Sequence, residues 1–328
     1  MNIKKLSAII LIAFTLILKI GISHAASKEP IVVRIASHVS ALSPLHQQSQ
    51  MFVDEIEKRL PGQFKFKIYP GGQLGKEKAL ITNIKAGSLE MINVASGIMK
   101  LDKKLGLFDL PWLFADRKHV QRAMEGELGI KVRERIEKKA GVKVIGMYEN
   151  GFRHILNKVR LIKKPADLKG MKVRISGGKF RQGVFQQMGA TPQKISWKET
   201  FTALQTGVVD GVEAATYGFY GQKQYEVAKY LSLTGHVYTP SFMVASKKFW
   251  NSLSTKQQKI FTEVGNSMTD KAYLGAKNLE AKYFKEMKKY VEINEVDLSA
   301  FQNATKGSYE KYVKSQGDDW LKLVKAAQ

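Results

Sequence analysis

Past residue 30, apolar and polar positions follow two alternating periods, and the alternation outlines a fold. Residues 31–36 form a β-branched run. Over 45–60, Phe52, Ile56 and Leu60 recur at helical spacing. Phe64, Phe66 and Ile68 then alternate with Lys65, Lys67 and Tyr69 at period two. Pro70-Gly71-Gly72 punctuates that strand, a helix over 76–86 stops at Gly87, and 90–96 reads as a third strand. The order returns downstream: a strand over 172–176, a helix over 179–188 closed by Gly189, a short strand over 193–195, a helix over 197–205 ending at Gly207, and a strand over 208–214. Strands alternating with helices predict parallel pairing through right-handed crossovers.

Two such βαβαβ units predict an α/β protein of two lobes, with residues 142–148 as a strand leading from one to the other. Asp116 reads as a helix N-cap. Ser254 and Gln257 form a capping-box pattern. From 255 to 290 there is no Pro, and only Gly265 and Gly275 interrupt a helical pattern. One helix of about 50 Å there would span both lobes; the alternative is a break near one of those glycines. On this reading lobe I is 26–150 plus about 239–275, and lobe II is 151–238 plus about 276–328.

The N-terminus sets the compartment. Lys4 and Lys5 precede an apolar stretch over 6–20, and Ser23 and Ala25 place small residues at the −3 and −1 positions of a cleavage site. This is the layout of a cleaved secretory signal, 1–25, with cutting after Ala25 or one residue on. Lys19 interrupts the stretch, which falls short of the roughly 20 residues that span a bilayer. No other long apolar run follows, so stable membrane insertion is not expected. Cysteine is absent, which excludes disulfide staples, thiolate chemistry and the thiol of a lipid-anchored lipoprotein. A freely diffusing periplasmic monomer is expected.

The net charge of +24 falls to +21 once Lys4, Lys5 and Lys19 leave with the signal. The lysines are spread along helices, as in Lys285, Lys288 and Lys289, and form no block interleaved with aromatics. Export further argues against nucleic acid; the field favours encounter with anions. Enzyme signatures are missing: no Gly-x-Ser-x-Gly elbow, phosphate loop or His-Glu-x-x-His motif. No cofactor or metal is expected, since the histidines show no ligand spacing beyond the loose pair His38 and His46.

Two arginines carry more information. Arg174 lies inside the strand Met171-Lys172-Val173-Arg174-Ile175, and Arg153 follows Glu149-Asn150-Gly151-Phe152 just past a strand end. Charged residues in such strands are paired when buried, and the planar guanidinium matches a carboxylate in two parallel hydrogen bonds. Their other readings are an internal salt bridge for Arg174 and a solvated loop position for Arg153.

Several segments resemble the DctP-type solute-binding proteins of TRAP (tripartite ATP-independent periplasmic) transporters. They are Tyr69-Pro70-Gly71-Gly72-Gln73-Leu74-Gly75, Phe108-Asp109-Leu110-Pro111-Trp112-Leu113-Phe114, Glu149-Asn150-Gly151-Phe152-Arg153, Asp167-Leu168-Lys169-Gly170-Met171-Lys172-Val173-Arg174, the run from Phe201 to Gly211, and Lys247-Lys248-Phe249-Trp250. The resemblance implies a periplasmic-binding-protein fold whose two lobes hinge shut on a ligand and deliver it to a membrane permease. It implies that Arg174 pairs with the ligand carboxylate, that Arg153 adds a second cationic contact, and that Trp197 lies beside the ligand. It also matches the family's lobe-spanning helix to 255–290.

Glu213, Tyr217, Lys76, Ser96 and His38 complete the expected ligand-binding set, with the site between the lobes. One departure stands out. Many dicarboxylate binders carry Gln-Glu-Asn after Asp-Gly, whereas this chain has Val212-Glu213-Ala214, and Ala214 donates no hydrogen bond; Tyr217 or Tyr238 is a candidate replacement. The charged residues of sialate binders are absent from 93–98. The expected ligand is a small carboxylate, foremost a four-carbon dicarboxylate, with a 2-oxo acid, a sugar acid or a sulfonate as alternatives, and a secreted enzyme acting on an organic acid as the rival class.

Overall fold

The computed structural model describes residues 29–328; the expected signal segment lies outside them. Among the described residues nine strands form one mixed sheet. They are β1 (Ile31–Ala36), β2 (Phe64–Tyr69), β3 (Met91–Val94), β4 (Val142–Asn157), β5 (Lys172–Ile175), β6 (Thr191–Lys194), β7 (Gly211–Ala214), β8 (Tyr230–Ser246) and β9 (Glu292–Asn294). Their order is β2-β1-β3-β8-β4-β7-β5-β6, with β9 against β8.

Both βαβαβ units form. β1 pairs parallel with β2 and β3, and β5 pairs parallel with β6 and β7. In each unit the first strand is central, the second outermost and the third innermost. Helices Pro44–Arg59 and Glu77–Ala86 make the crossovers of the first unit, and Lys179–Gln187 and Thr200–Gln205 those of the second. The caps behave as their residue types dictate. Asp116 accepts the His119 amide at 2.8 Å, Ser254 and Gln257 close a reciprocal capping box, and Gly87 ends its helix at φ 71°.

The units are joined by antiparallel pairing that the local patterns do not show. β4 and β8 pair from Val142–Ser246 to Asn157–Tyr230, β3 lies against β8, and β7 against β4. The strand expected over 142–148 therefore runs on to Asn157. Gly151 does not end it: at φ 125° it takes a register shift between Glu149 and Gly151, and pairing resumes opposite Thr239. Arg153 thus belongs to a strand, not to a loop past its end.

Each unit buries both faces of its part of the sheet. Ile92, Phe108, Val132 and Phe242 lie in one core of the first half, and Phe52, Ile56, Met243 and Phe261 in the other. In the second half Val173, Ile175 and Phe185 fill one core and Leu204, Val212 and Phe219 the other. Sequence order groups 276–328 with the second lobe. Phe301 packs there, but Tyr312, Trp320 and Val324 return to the first half.

The C-terminal helical run crosses both halves in two pieces, Thr255–Ser267 and Thr269–Met287. Phe261 and Val264 pack in the first half, and Met287 in the second. The interruption falls at Met268 and not at a glycine. Gly265 serves packing, since a Cβ there would sit 2.1 Å from the Ile145 carbonyl oxygen. Among the described residues no helix is long and apolar enough to cross a membrane.

Candidate functional site

The parallel strands of both units aim their C-terminal ends at the gap between the halves, where α/β sheets place their ligands. His38 follows β1, Ala95 and Ser96 follow β3, Arg174 sits in β5 with Ser176 beyond it, Ile195 to Trp197 follow β6, and Ala214 ends β7. Together with Lys76, Glu77, Lys100, Arg153 and Tyr217 they line a cavity of about 250 Å³. The structure therefore brings together seven of the eight residues expected from the sequence. Glu213 is the exception and lies behind the wall.

Arg174 is 3% exposed. Its Nε donates to the Ile195 carbonyl oxygen at 2.9 Å, and its guanidinium lies over the Trp197 ring, 5.1 Å from the centroid. Its Nη1 is buried without a hydrogen-bond partner. Burial pushes its pKa down to about 10, opposed by Glu213 and reinforced by Arg153. It still carries its proton at neutral pH. A buried cationic donor without an acceptor is unfavourable and oriented to receive one.

Arg153 lines the cavity and is anchored in its wall. Its Nε bonds the Glu213 carboxylate and its Nη2 donates to the Glu213 main-chain oxygen at 2.8 Å. Glu213 is fully buried; its Oε1 accepts the Ser176 amide at 2.9 Å, and Arg181 and His236 each lie 3.6 Å from Oε2, the oxygen that Arg153 bonds. Burial alone would raise its pKa; Arg153 and Arg181 outweigh it and hold the carboxyl well below the usual range. Glu213 thus positions the wall and does not line the cavity.

The remaining expected residues surround this pair. Tyr217 donates its hydroxyl to Asn150 Oδ1. His38 Nε2 lies 3.7 Å from Glu77 Oε1, and burial keeps its pKa below the ordinary histidine value. Lys76 reaches across the gap to Glu199, and both are about half exposed. Ala214 presents a methyl group to the cavity. Tyr238, the other candidate replacement for the missing Asn, bonds Tyr273 and does not line it.

Three residues escaped the sequence reading. Arg181 is fully buried and pairs with Asp109 at 2.6 Å. A signal was present, since Arg181, Val184, Phe185 and Met188 share one helical stripe and all are buried. Glu77 opens its helix and accepts the Ala95 amide at 3.0 Å. Gly97 makes room for it, because a Cβ there would lie 2.5 Å from the Glu77 carboxyl carbon. Lys100 donates to the Ser176 carbonyl oxygen across the gap at 2.7 Å. Neither Glu77 nor Lys100 is distinguishable in sequence from solvated helix charges.

A cationic, water-accessible chamber between two βαβαβ lobes is a binding device. The DctP family, described as bacterial extracellular solute-binding protein, family 7, matches residues 35–316. The chain belongs to this family. The 2,3-diketo-L-gulonate-binding periplasmic protein YiaO of Escherichia coli K12 is 31% identical, covering 90% of this chain and 92% of its own. The C4-dicarboxylate-binding periplasmic protein DctP of Rhodobacter capsulatus is 27% identical, covering 94% and 95%. The sugar acid binding protein DctPAm of Advenella mimigardefordensis, solved in complex with galactonate, matches with a TM-score of 0.87 at 28% identity, covering 92% of this chain and 99% of that one. As a DctP-type chain this is a solute-binding protein of the TRAP class, whose members are periplasmic, bind small acids and work with membrane permeases.

Proposed function

We propose that this protein captures a hydroxylated monocarboxylate in the chamber between its lobes and passes it to a TRAP permease without chemical change. Arg174 carries the reading: a buried guanidinium with one partnerless donor, stacked on Trp197 and facing the chamber. A carboxylate supplies the acceptor and suits the planar fork.

The charge balance supports one carboxylate. Arg153 and Arg181 are matched by Glu213 and Asp109, and Lys76 by Glu199. Inside the rim, Arg174 and Lys100 then stand against Glu77, a surplus of one positive charge, and the exposed Lys78 and Lys198 add two more at the rim. Glu77 repels a second carboxylate nearby and accepts a hydrogen bond from a hydroxyl. A volume of 250 Å³ lies just under the roughly 300 Å³ at which pockets for drug-sized ligands begin, which suits a small acid. The four-carbon dicarboxylate expected from the sequence needs a second cationic partner beside Arg174. It keeps support from the Rhodobacter capsulatus relative and from the exposed rim lysines Lys78 and Lys198.

We assign 29–141, 247–267 and 307–326 to the first lobe and 158–229 and 292–305 to the second, with β4, β8 and helix Thr269–Met287 crossing between them. A ligand touching both lobes shifts the population toward closure. Titration calorimetry with galactonate, succinate, a 2-oxo acid, a sulfonate and a neutral sugar tests the assignment. The hydroxy acid binds tightest; preference for succinate overturns the ligand class, and preference for the neutral sugar overturns the anion site. Export is read from the mature N-terminus, expected at Ala26 or Ser27.

A further inference from the structure

A second, larger cleft of about 950 Å³ adjoins the chamber. The two share Ser96, Lys100, Ser176, Ile195 and Ser196 as a common wall. Beyond that wall the cleft is bordered by Lys103, Lys179, Lys194 and Lys311. Capture of a small acid in the chamber leaves it unused.

Of the shared wall, Lys100 is the side chain that crosses from one half to the other. Ser96 is buried two residues past β3, and the Ile195 carbonyl is held by Arg174. Lys100 instead projects from the short turn Ile98–Leu101 of the first half, and a single exposed hydrogen bond ties its Nζ to the Ser176 carbonyl of the second. The ammonium rests close to bare backbone: Gly177 has φ 90°, and a Cβ there would lie 3.2 Å from Lys100 Nζ. Burial lowers the Lys100 pKa, with Glu77 opposing and Arg174 reinforcing. The side chain is thus a bar across a passage between two cavities, held at its tip by one bond.

We propose that Lys100 is a removable partition that sets the length of acid this protein accepts. With the bar in place the chamber takes one small acid unit. With the bar withdrawn the cavities join, and an acid extended by a second polar unit reaches into the lysine-bordered cleft. The inference rests on the reading of the chamber as a carboxylate site.

Calorimetry of the wild type, Lys100→Ala and Lys100→Met with galactonate and with lactobionate, an aldonate carrying one further sugar, tests it. The wild type binds galactonate and discriminates against lactobionate by about tenfold or more. Lys100→Ala weakens galactonate, because a charge is lost, and erases the discrimination. Lys100→Met keeps most of the bulk but loses the ammonium that bonds the Ser176 carbonyl, so it weakens both acids and discriminates less than the wild type but more than Lys100→Ala. A Lys100→Ala protein with wild-type discrimination overturns the partition, as does Lys100→Met behaving like Lys100→Ala, or a wild type that binds both acids equally. If neither acid binds the wild type, or if Arg174→Ala binds galactonate normally, the carboxylate site itself fails and the partition with it.

Discussion

Arg153 and Glu213 are joined twice across neighbouring strands, once through the carboxylate and once through the Glu213 main-chain oxygen at 2.8 Å from Arg153 Nη2. The double bond pattern spends Arg153 on the wall of the site. It also makes Glu213 the counter-ion on which Arg153 and Arg181 both depend.

Replacing Glu213 by Gln should therefore unfold the second half more easily. Removing one partner of a buried ion pair costs about 3–5 kcal/mol, because the remaining charges stay buried. Urea unfolding of Glu213→Gln without ligand reads this loss. An unchanged midpoint would mean that the cluster is not a structural unit.

Arg174 should behave differently. Arg174→Met removes the partnerless Nη1 donor but also the Nε bond to the Ile195 carbonyl, and the two effects oppose each other, so the ligand-free protein keeps its stability to within about 1 kcal/mol. The same change costs about 2–5 kcal/mol of binding, roughly 30- to several-thousand-fold. Affinity lost while stability holds is the signature of a binding arginine. Parallel losses in thermal shift and calorimetry would mark Arg174 as structural.

Glu77 should set preference among acids. Glu77→Gln removes the negative charge while keeping a hydrogen-bonding group, so succinate gains relative to galactonate by about tenfold. Competition calorimetry gives the ratio directly. A ratio that does not move would place Glu77 outside ligand recognition.

Acid should destabilise the protein through its buried histidines. Burial pushes His236 below the ordinary histidine value, and His154 down to about 3 with His236 adding to the effect. A group with a depressed folded pKa contributes stability that is present above about pH 6.5 and lost as pH falls through the folded value. Each fully coupled proton adds up to about 1.4 kcal/mol per pH unit; the partial exposure of His154 to solvent reduces its share. Unfolding free energies measured from pH 7 to 4 should fall more steeply for the wild type than for His154→Asn. Identical slopes would show that His154 titrates alike in both states.

Much of the architecture was legible in the chain because it is local. Period-two and helical spacing marked the strands and crossovers of both units, and Gly87, Asp116 and Ser254 marked helix ends by residue type alone. Arg174 announced itself as a charge inside an apolar strand. Arg181 is equally legible, on one helical stripe with Val184, Phe185 and Met188.

The rest depended on distance in space. Gly151 has the chemistry of a terminator, and only pairing with Thr239 turns it into a bulge that carries β4 on to Asn157. The helical break at Met268 follows packing against the first half and not a weak residue. Arg153 and Arg174 look alike in sequence, yet Glu213, 60 residues from Arg153 in the chain, neutralises one and leaves a donor of the other without a partner. Sequence period reports which side chains leave water. Which buried charges meet is fixed by the folded distances between strands, and that pairing, more than the presence of arginines, decides what the chamber binds.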